Sequence, residues 1–195
     1  MYLFWYEAKV FNLRTLKTVK MTVIAISGPP GAGTSTAAKK LAEKLGLKYF
    51  SPGQYMKEQS EGNETEAALH GWIDEELSSE EFHNDIDEMQ KEVARKGDVV
   101  IDGKLSVYML EEIADLRVFL TAPIDTRARR SSERDDMDFE KARKTLKERQ
   151  KEEVENWTEM YGFHYIDKQR SEADLVIDTS EHPPREIIDL ILQEI

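Results

Sequence analysis

Ile24-Ala25-Ile26-Ser27-Gly28-Pro29-Pro30-Gly31-Ala32-Gly33-Thr34-Ser35-Thr36-Ala37-Ala38-Lys39-Lys40-Leu41 is the stretch on which the fold turns. Residues 22–27 are apolar, uncharged and too few for a helix, so they read as a buried strand. The strand stops at Gly28, Gly31 and Gly33 follow, and a helical pattern begins at Ser35. Strand, glycine loop and helix together form the context that a phosphate-binding loop requires. Glycines let backbone N–H groups turn inward around a polyphosphate, and the new helix adds its free N–H groups and the positive end of its dipole. The expected phosphate contacts are Gly28, Pro29, Pro30, Gly31, Ala32, Gly33, Thr34, Ser35 and Thr36.

Against the template G-x-x-x-x-G-K-[ST], Gly28, Gly33 and Ser35 match, but Thr34 stands where a lysine is expected. That lysine normally brings a positive charge to the β- and γ-phosphates. Either another cation supplies the charge, or binding rests on the backbone, a magnesium ion and arginines elsewhere. Ser35 is placed to put its hydroxyl on such an ion. The plainer alternative is a Gly-Pro turn, which leaves three glycines in one short loop without a purpose.

Working outward, residues 37–45 carry Ala37, Ala38, Leu41, Ala42 and Leu45 at helical spacing, and Gly46 supplies a C-cap. Lys48-Tyr49-Phe50 is a short strand, and Ser51-Pro52-Gly53 turns the chain into a helix at residues 54–57. Residues 60–80 are polar and acidic and read as an exposed insertion. Phe82, Ile86, Met89 and Val93 mark an amphipathic helix over residues 80–96. Val99-Val100-Ile101-Asp102 is a buried strand ending in a carboxylate, and Leu116-Arg117-Val118-Phe119-Leu120 is another. Pro123 opens a helix bearing Arg127, Arg129, Arg130 and Arg134. A long charged helix is expected from residue 139 to about 160, a last strand at residues 174–178, and a closing helix after Pro183-Pro184.

Strands alternating with helices predict an α/β fold with a parallel sheet covered on both faces, whose ligands bind at the carboxyl ends of the strands. Asp102 and the glycine loop both lie at that end. Asp102 either holds a magnesium-bound water, orients an acceptor, or merely caps its strand. Arg127, Arg130 and Arg134 share roughly one helical face and, with Arg149, could neutralise a transferred phosphoryl group; the alternative is a solvated face paired with nearby acids. Lys57 and Lys104 have the same two readings, as acceptor-phosphate ligands or surface lysines.

The 195 residues suit one domain, with 39% hydrophobic and 34% charged residues. A formal net charge of −12 argues against nucleic-acid binding, which needs a basic face, but not against a nucleotide held by local arginines. There is no cysteine, hence no thiol chemistry, and the four histidines show no metal spacing. No run is long enough to span a membrane, and Glu7 and Lys9 cut short the apolar opening, so no signal peptide is expected. Residues 1–20 are expected to be an N-terminal extension to a domain covering residues 21–195.

The loop, then "KLGLKYFSPGQYMKEQ" (residues 44–59), "DIDEMQKEVARKGDVVIDGKLS" (85–106), "ADLRVFLTAPIDTRARR" (114–130), "RQKEEVENWTEMYG" (149–162) and "ADLVIDTS" (173–180) resemble the archaeal-type cytidylate kinases. The likeness covers roughly residues 21–180 and implies the nucleoside monophosphate kinase fold: a P-loop core with a five-stranded parallel sheet, an acceptor-binding insertion (about 54–96) and a lid (about 131–150). It implies transfer of the ATP γ-phosphate to CMP or dCMP with Mg2+, by a cytoplasmic monomer whose partners are small nucleotides. It also assigns catalytic roles to Arg127, Arg130, Arg149 and Asp102, acceptor binding to Lys57, Asp87, Gly103 and Lys104, and the metal to Ser35. Several positions depart from the family: Lys57 and Lys104 fall where arginine is usual, Asn156 where a basic residue is common, and Glu88 and Met89 in place of a basic pair. The alternatives are a P-loop kinase for another small acceptor and a nucleotide-binding protein without turnover.

Overall fold

The computed structural model describes residues 22–54 and 80–195. Five parallel strands form one sheet in the order β2-β3-β1-β4-β5: β1 Val23–Ser27, β2 Lys48–Phe50, β3 Val99–Asp102, β4 Leu116–Thr121 and β5 Leu175–Asp178. Between them run α1 Thr34–Leu45, α2 Glu80–Arg95, α3 Ser106–Met109, α4 Ile124–Asp135, α5 Phe139–Tyr161 and α6 Tyr165–Glu172, and α7 Pro184–Leu192 closes the chain.

The central strand β1 is buried along its whole length, and its alternate residues feed two cores. Ile24 and Ile26 join Leu41, Val118, Leu120, Ile188 and Ile191 beneath α1 and α7, while Val23 and Ala25 join Val99, Ile101 and Leu110 on the opposite face. Residues with apolar side chains on both faces of a strand have no solvated side to present, which is why β1 and β3 read as unbroken apolar runs. A third cluster of Leu105, Trp157 and Tyr165 ties α5 and α6 to the chain following β3.

The predicted α/β class, the strands and the helix starts agree with this architecture within a residue or two. Gly46 caps α1 in the left-handed conformation with φ 68°, as its type and position require. Asp138 caps α5, its side chain accepting from the backbone of Glu140 and Lys141. The helix α6 was not foreseen: its sequence is mostly polar, and only Tyr165 and Gln169 are buried. Lys57, the extension at residues 1–20 and most of the acidic insertion lie outside the described residues.

Candidate active site

Ser27 ends β1 and Thr34 begins α1, so the loop 28–33 sits at the carboxyl edge of the sheet between two neighbouring strands. Gly31 and Gly33 adopt φ 80° and 93°, values that side chains resist. A Cβ on Gly28 would stand 2.4 Å from the Leu120 carbonyl oxygen, so the loop's first residue passes too close to β4 for anything but glycine. The Ala32 N–H donates to the Pro29 carbonyl at 3.1 Å, and the Ala37 N–H to the Gly33 carbonyl at 3.0 Å, which fixes the loop's exit into the helix.

Two groups of side chains flank this loop. On the β3 side, the Ser35 hydroxyl donates to Asp102 Oδ2 at 2.5 Å, and the Tyr49 hydroxyl reaches the same oxygen at 3.2 Å. Burial, with the Asp102 charge beside it, pushes the Tyr49 phenol up to about 12, so it stays a neutral donor. Asp102 is 6% exposed, placed there because Asp102 is the last residue of β3, in register with Ile26 of β1. Gly103 follows, its N–H donating to the Ile26 carbonyl and its own carbonyl accepting from Ser27 Oγ at 2.7 Å. Lys104 then turns back so that its ammonium donates to the Gly28 carbonyl at 3.1 Å.

On the β4 side, α4 delivers two arginines. Arg127 is buried and donates to the Ala122 carbonyl at 3.0 Å, the Pro30 carbonyl at 2.9 Å and Gln150 Oε1 at 2.9 Å. The sequence led to an expectation of Arg127 facing the transferred phosphoryl group. Its donors are instead spread over protein acceptors beneath the loop, because residue 127 falls on the inward face of α4. Arg130, one turn on, donates to the Thr179 hydroxyl at 2.8 Å and carbonyl at 2.7 Å and lies 3.4 Å from the Ala32 carbonyl. Thr179 also donates to Ala32 at 2.9 Å, so the residue after β5 is a strut for the loop. Arg134 turns away and pairs with Asp135 at 2.8 Å.

Arg149 on α5 donates through Nε to Glu153 Oε1 at 2.8 Å. Glu153 is 2% exposed and also accepts from the Tyr165 hydroxyl at 2.6 Å, with the Lys104 ammonium 3.7 Å from the same Oε2. Burial alone would raise this carboxyl, but Lys104, Arg149 and Tyr165 together outweigh it and hold the carboxyl below its ordinary range. Burial and the Glu153 charge raise the Tyr165 phenol in turn. Neither Glu153 nor Tyr165 was singled out from the sequence. Glu153 carried one clue, its position four residues beyond Arg149 on a long helix, and Tyr165 none.

Asp87 lies apart, 8% exposed between α2 and α5, accepting from Gln90 Nε2 at 2.9 Å and from the Tyr161 hydroxyl. Burial raises its carboxyl despite those donors. Gln90 in turn accepts from Ser106 at 2.9 Å, which connects this cluster to the Gly103 turn.

Hard oxygen donors from Ser35 and Asp102, side by side at the mouth of the loop, fit a magnesium ion, which takes one or two protein oxygens and otherwise water or phosphate. Among the described residues there is no denser cluster of His, Asp or Glu to suggest another metal, and no helix long and apolar enough to cross a membrane.

A glycine loop so placed in a sheet of this strand order defines a P-loop α/β protein of the small-kinase kind. Solved structures agree on the fold: a shikimate kinase from Acinetobacter baumannii in complex with shikimate superposes with TM-score 0.57 at 20% identity, covering 89% of this chain and 92% of that one. An uncharacterized protein from Eubacterium ventriosum gives TM-score 0.64 at 20% identity, over 88% and 96%. The chain belongs to the cytidylate kinase-like family, whose model matches residues 23–181. It is 36% identical over 171 residues to a cytidylate kinase of Ignicoccus hospitalis, covering 88% of this chain and 97% of that protein. It is 35% identical to the cytidylate kinase of Methanopyrus kandleri (81% and 84% covered) and 37% identical to that of Staphylothermus marinus (83% and 89%).

Proposed function

We propose that this chain is a cytidylate kinase, transferring the γ-phosphoryl group of ATP to CMP or dCMP. An oxygen of the acceptor's own phosphate attacks the γ-phosphorus as the bond to the β–γ bridging oxygen breaks, giving CDP or dCDP and ADP. The attacking oxygen is already anionic, so no strong protein base is needed, and catalysis reduces to positioning and neutralising charge. The observation that carries the reading is the Ser35 hydroxyl held on the Asp102 carboxylate at the edge of the glycine loop.

In this reading residues 28–36 hold the donor's phosphates, through the backbone N–H groups that follow Pro30, and Ser35 and Asp102 would hold magnesium. That ion would neutralise charge between the transferred group and the leaving ADP. Arg130 and Arg149 would meet the phosphoryl group from α4 and α5, with Arg127 fixing the loop beneath them. Asp87, Gly103, Lys104 and Lys57 would line the acceptor side, and residues 131–150 would close over the donor as a lid. The net charge of −12 fits free nucleotides rather than nucleic acid as ligands, and we read the enzyme as a cytoplasmic monomer.

The test is ADP release in a coupled assay over CMP, dCMP, UMP, AMP and shikimate. Turnover is expected with CMP and dCMP above the rest. Turnover with UMP, AMP or shikimate instead would move the assignment to another small acceptor, and nucleotide binding without turnover on any acceptor would end the kinase reading.

A further inference from the structure

Tyr49 is the middle residue of the edge strand β2, in register with Val100 of β3 and half-buried against the core beneath α1. The Lys39 ammonium of α1 lies over its ring, 5.3 Å from the centre. A tyrosine at a sheet edge can pack its ring and leave its hydroxyl to water. This one turns the hydroxyl inward, onto the carboxylate of Asp102, 53 positions further along the chain. Two donors therefore meet on one oxygen: Ser35 Oγ at 2.5 Å and the Tyr49 hydroxyl at 3.2 Å, both on Oδ2. Among the described residues no donor is paired with the other oxygen, Oδ1. A phenylalanine would fill the same space under α1, so it is the hydroxyl that needs a purpose.

We propose that Tyr49 is a positioning residue of the Ser35–Asp102 pair: its hydroxyl, the second donor to Asp102 Oδ2, fixes the carboxylate and keeps Oδ1 for a divalent cation or for water bound to one. This rests on reading that pair as the magnesium site. The terminal torsion of an aspartate is broad, so a carboxylate with one donor can swing and offer either oxygen. Two donors on the same oxygen, one carried by α1 and one by β2, remove that freedom. Ser35 cannot do this alone. Its hydroxyl has a single proton and must also turn a lone pair to the ion, so its hold on Asp102 is the one that shifts when the ion arrives. The phenol has no such second duty, and its ring is held between the sheet and Lys39. Hydrogen bonds of this kind to a ligating carboxylate orient it and strengthen metal binding. Tyr49 touches no substrate in this scheme and acts through Asp102.

The experiment is calorimetric titration of ADP into the wild type, Tyr49→Phe, Asp102→Asn and the double variant, over a series of magnesium concentrations and with the metal chelated. A thermal melt of each accompanies it. In Tyr49→Phe the magnesium concentration that half-saturates the tightening of ADP binding should rise roughly 10-fold. Metal-free ADP affinity and the melt should stay near wild type, since the ring and its packing remain. Added to Asp102→Asn, Tyr49→Phe should shift the magnesium requirement by less than about 2-fold more, because the two residues act as a unit. An unchanged magnesium requirement in Tyr49→Phe would overturn the proposal. So would the full shift recurring in the Asp102→Asn background, which would show that Tyr49 does not work through Asp102. An equal loss of metal-free ADP binding would overturn it too, leaving Tyr49 as a support of the fold near the loop. A wild type whose ADP affinity ignores magnesium would sink the reading of Ser35 and Asp102 as the metal pair, and the proposal with it.

Discussion

Ser35 Oγ and Asp102 Oδ2 lie 2.5 Å apart, a hydroxyl from the first turn of α1 against a carboxylate from the end of β3. Neither depends on the other in sequence; the parallel pairing of β1 with β3 brings them together. If the pair holds magnesium, Asp102→Asn should raise the magnesium concentration needed for half-maximal turnover by roughly 10- to 100-fold and leave the melting temperature within a few degrees of wild type. Initial rates across a magnesium titration, beside a thermal melt, check this. A variant whose melt falls as far as its rate would mark Asp102 as a strand cap.

Arg127 and Arg149 divide a role that the sequence assigned to both. Arg127 spans three protein acceptors in a buried setting, so the expected contribution is structural. Arg127→Met should cost about 3 kcal/mol of stability, as buried acceptors lose a charged donor, and weaken ATP binding along with it. Denaturant titration gives the first quantity and calorimetry the second.

Arg149 should behave differently. Arg149→Lys preserves the charge beside Glu153 but loses the planar fork, so stability should stay near wild type while kcat falls roughly 10- to 100-fold. Parallel loss of both would show that Arg149 serves only to neutralise the buried carboxylate.

Gly28 offers a test of the loop's geometry alone. In Gly28→Ala the new Cβ would stand 2.4 Å from the backbone oxygen of Leu120 and 2.9 Å from the Thr34 methyl, and neither can move far. A destabilisation of about 2–3 kcal/mol is expected, together with loss of ATP binding. Gly53→Ala, where the nearest atom is Ser51 Oγ at 3.9 Å, is the matched control and should be neutral. Comparable melts for the two would mean that β4 yields to the loop.

The difference between what could and could not be read beforehand follows from the range of each interaction. The glycine loop, the cap at Gly46 and the buried strands are local, since periodicity and residue type within a few positions decide them. Asp102 was legible because a carboxylate at the end of an apolar strand falls on the edge where such sheets bind ligands. The partners were not. Glu153 with Lys104, Tyr165 with Glu153 and Arg130 with Thr179 join residues up to 49 positions apart, and this ion pair and these hydrogen bonds exist only after packing sets the angle between α4, α5 and the sheet. Arg127 and Arg149 look alike as isolated letters; what separates them is that one is surrounded by carbonyls and the other by a single carboxylate.

His83 links the fold to pH. It is 1% exposed on α2 and meets Trp157 of α5 edge to face, with ring centres 4.7 Å apart. Burial lowers its pKa from 6.5 to about 4. Between those two values the unfolded chain binds a proton that the folded chain refuses, so stability should fall as pH drops from 6.5 toward 4, by at most about 1.4 kcal/mol per pH unit from this group, and then level off. Above pH 6.5 both states hold the ring neutral and the contribution is flat. Replacing the imidazole by an apolar ring of similar size, His83→Phe, keeps the packing against Trp157 but removes the proton. Urea melts at pH 7, 6, 5 and 4.5 should therefore show the wild type losing stability across the series and His83→Phe losing markedly less. An equal slope in both would assign the acid sensitivity to groups other than His83, and not to Glu153, whose carboxyl is held below its ordinary 4.5 by Lys104 and Arg149 and so keeps its contribution throughout this pH range.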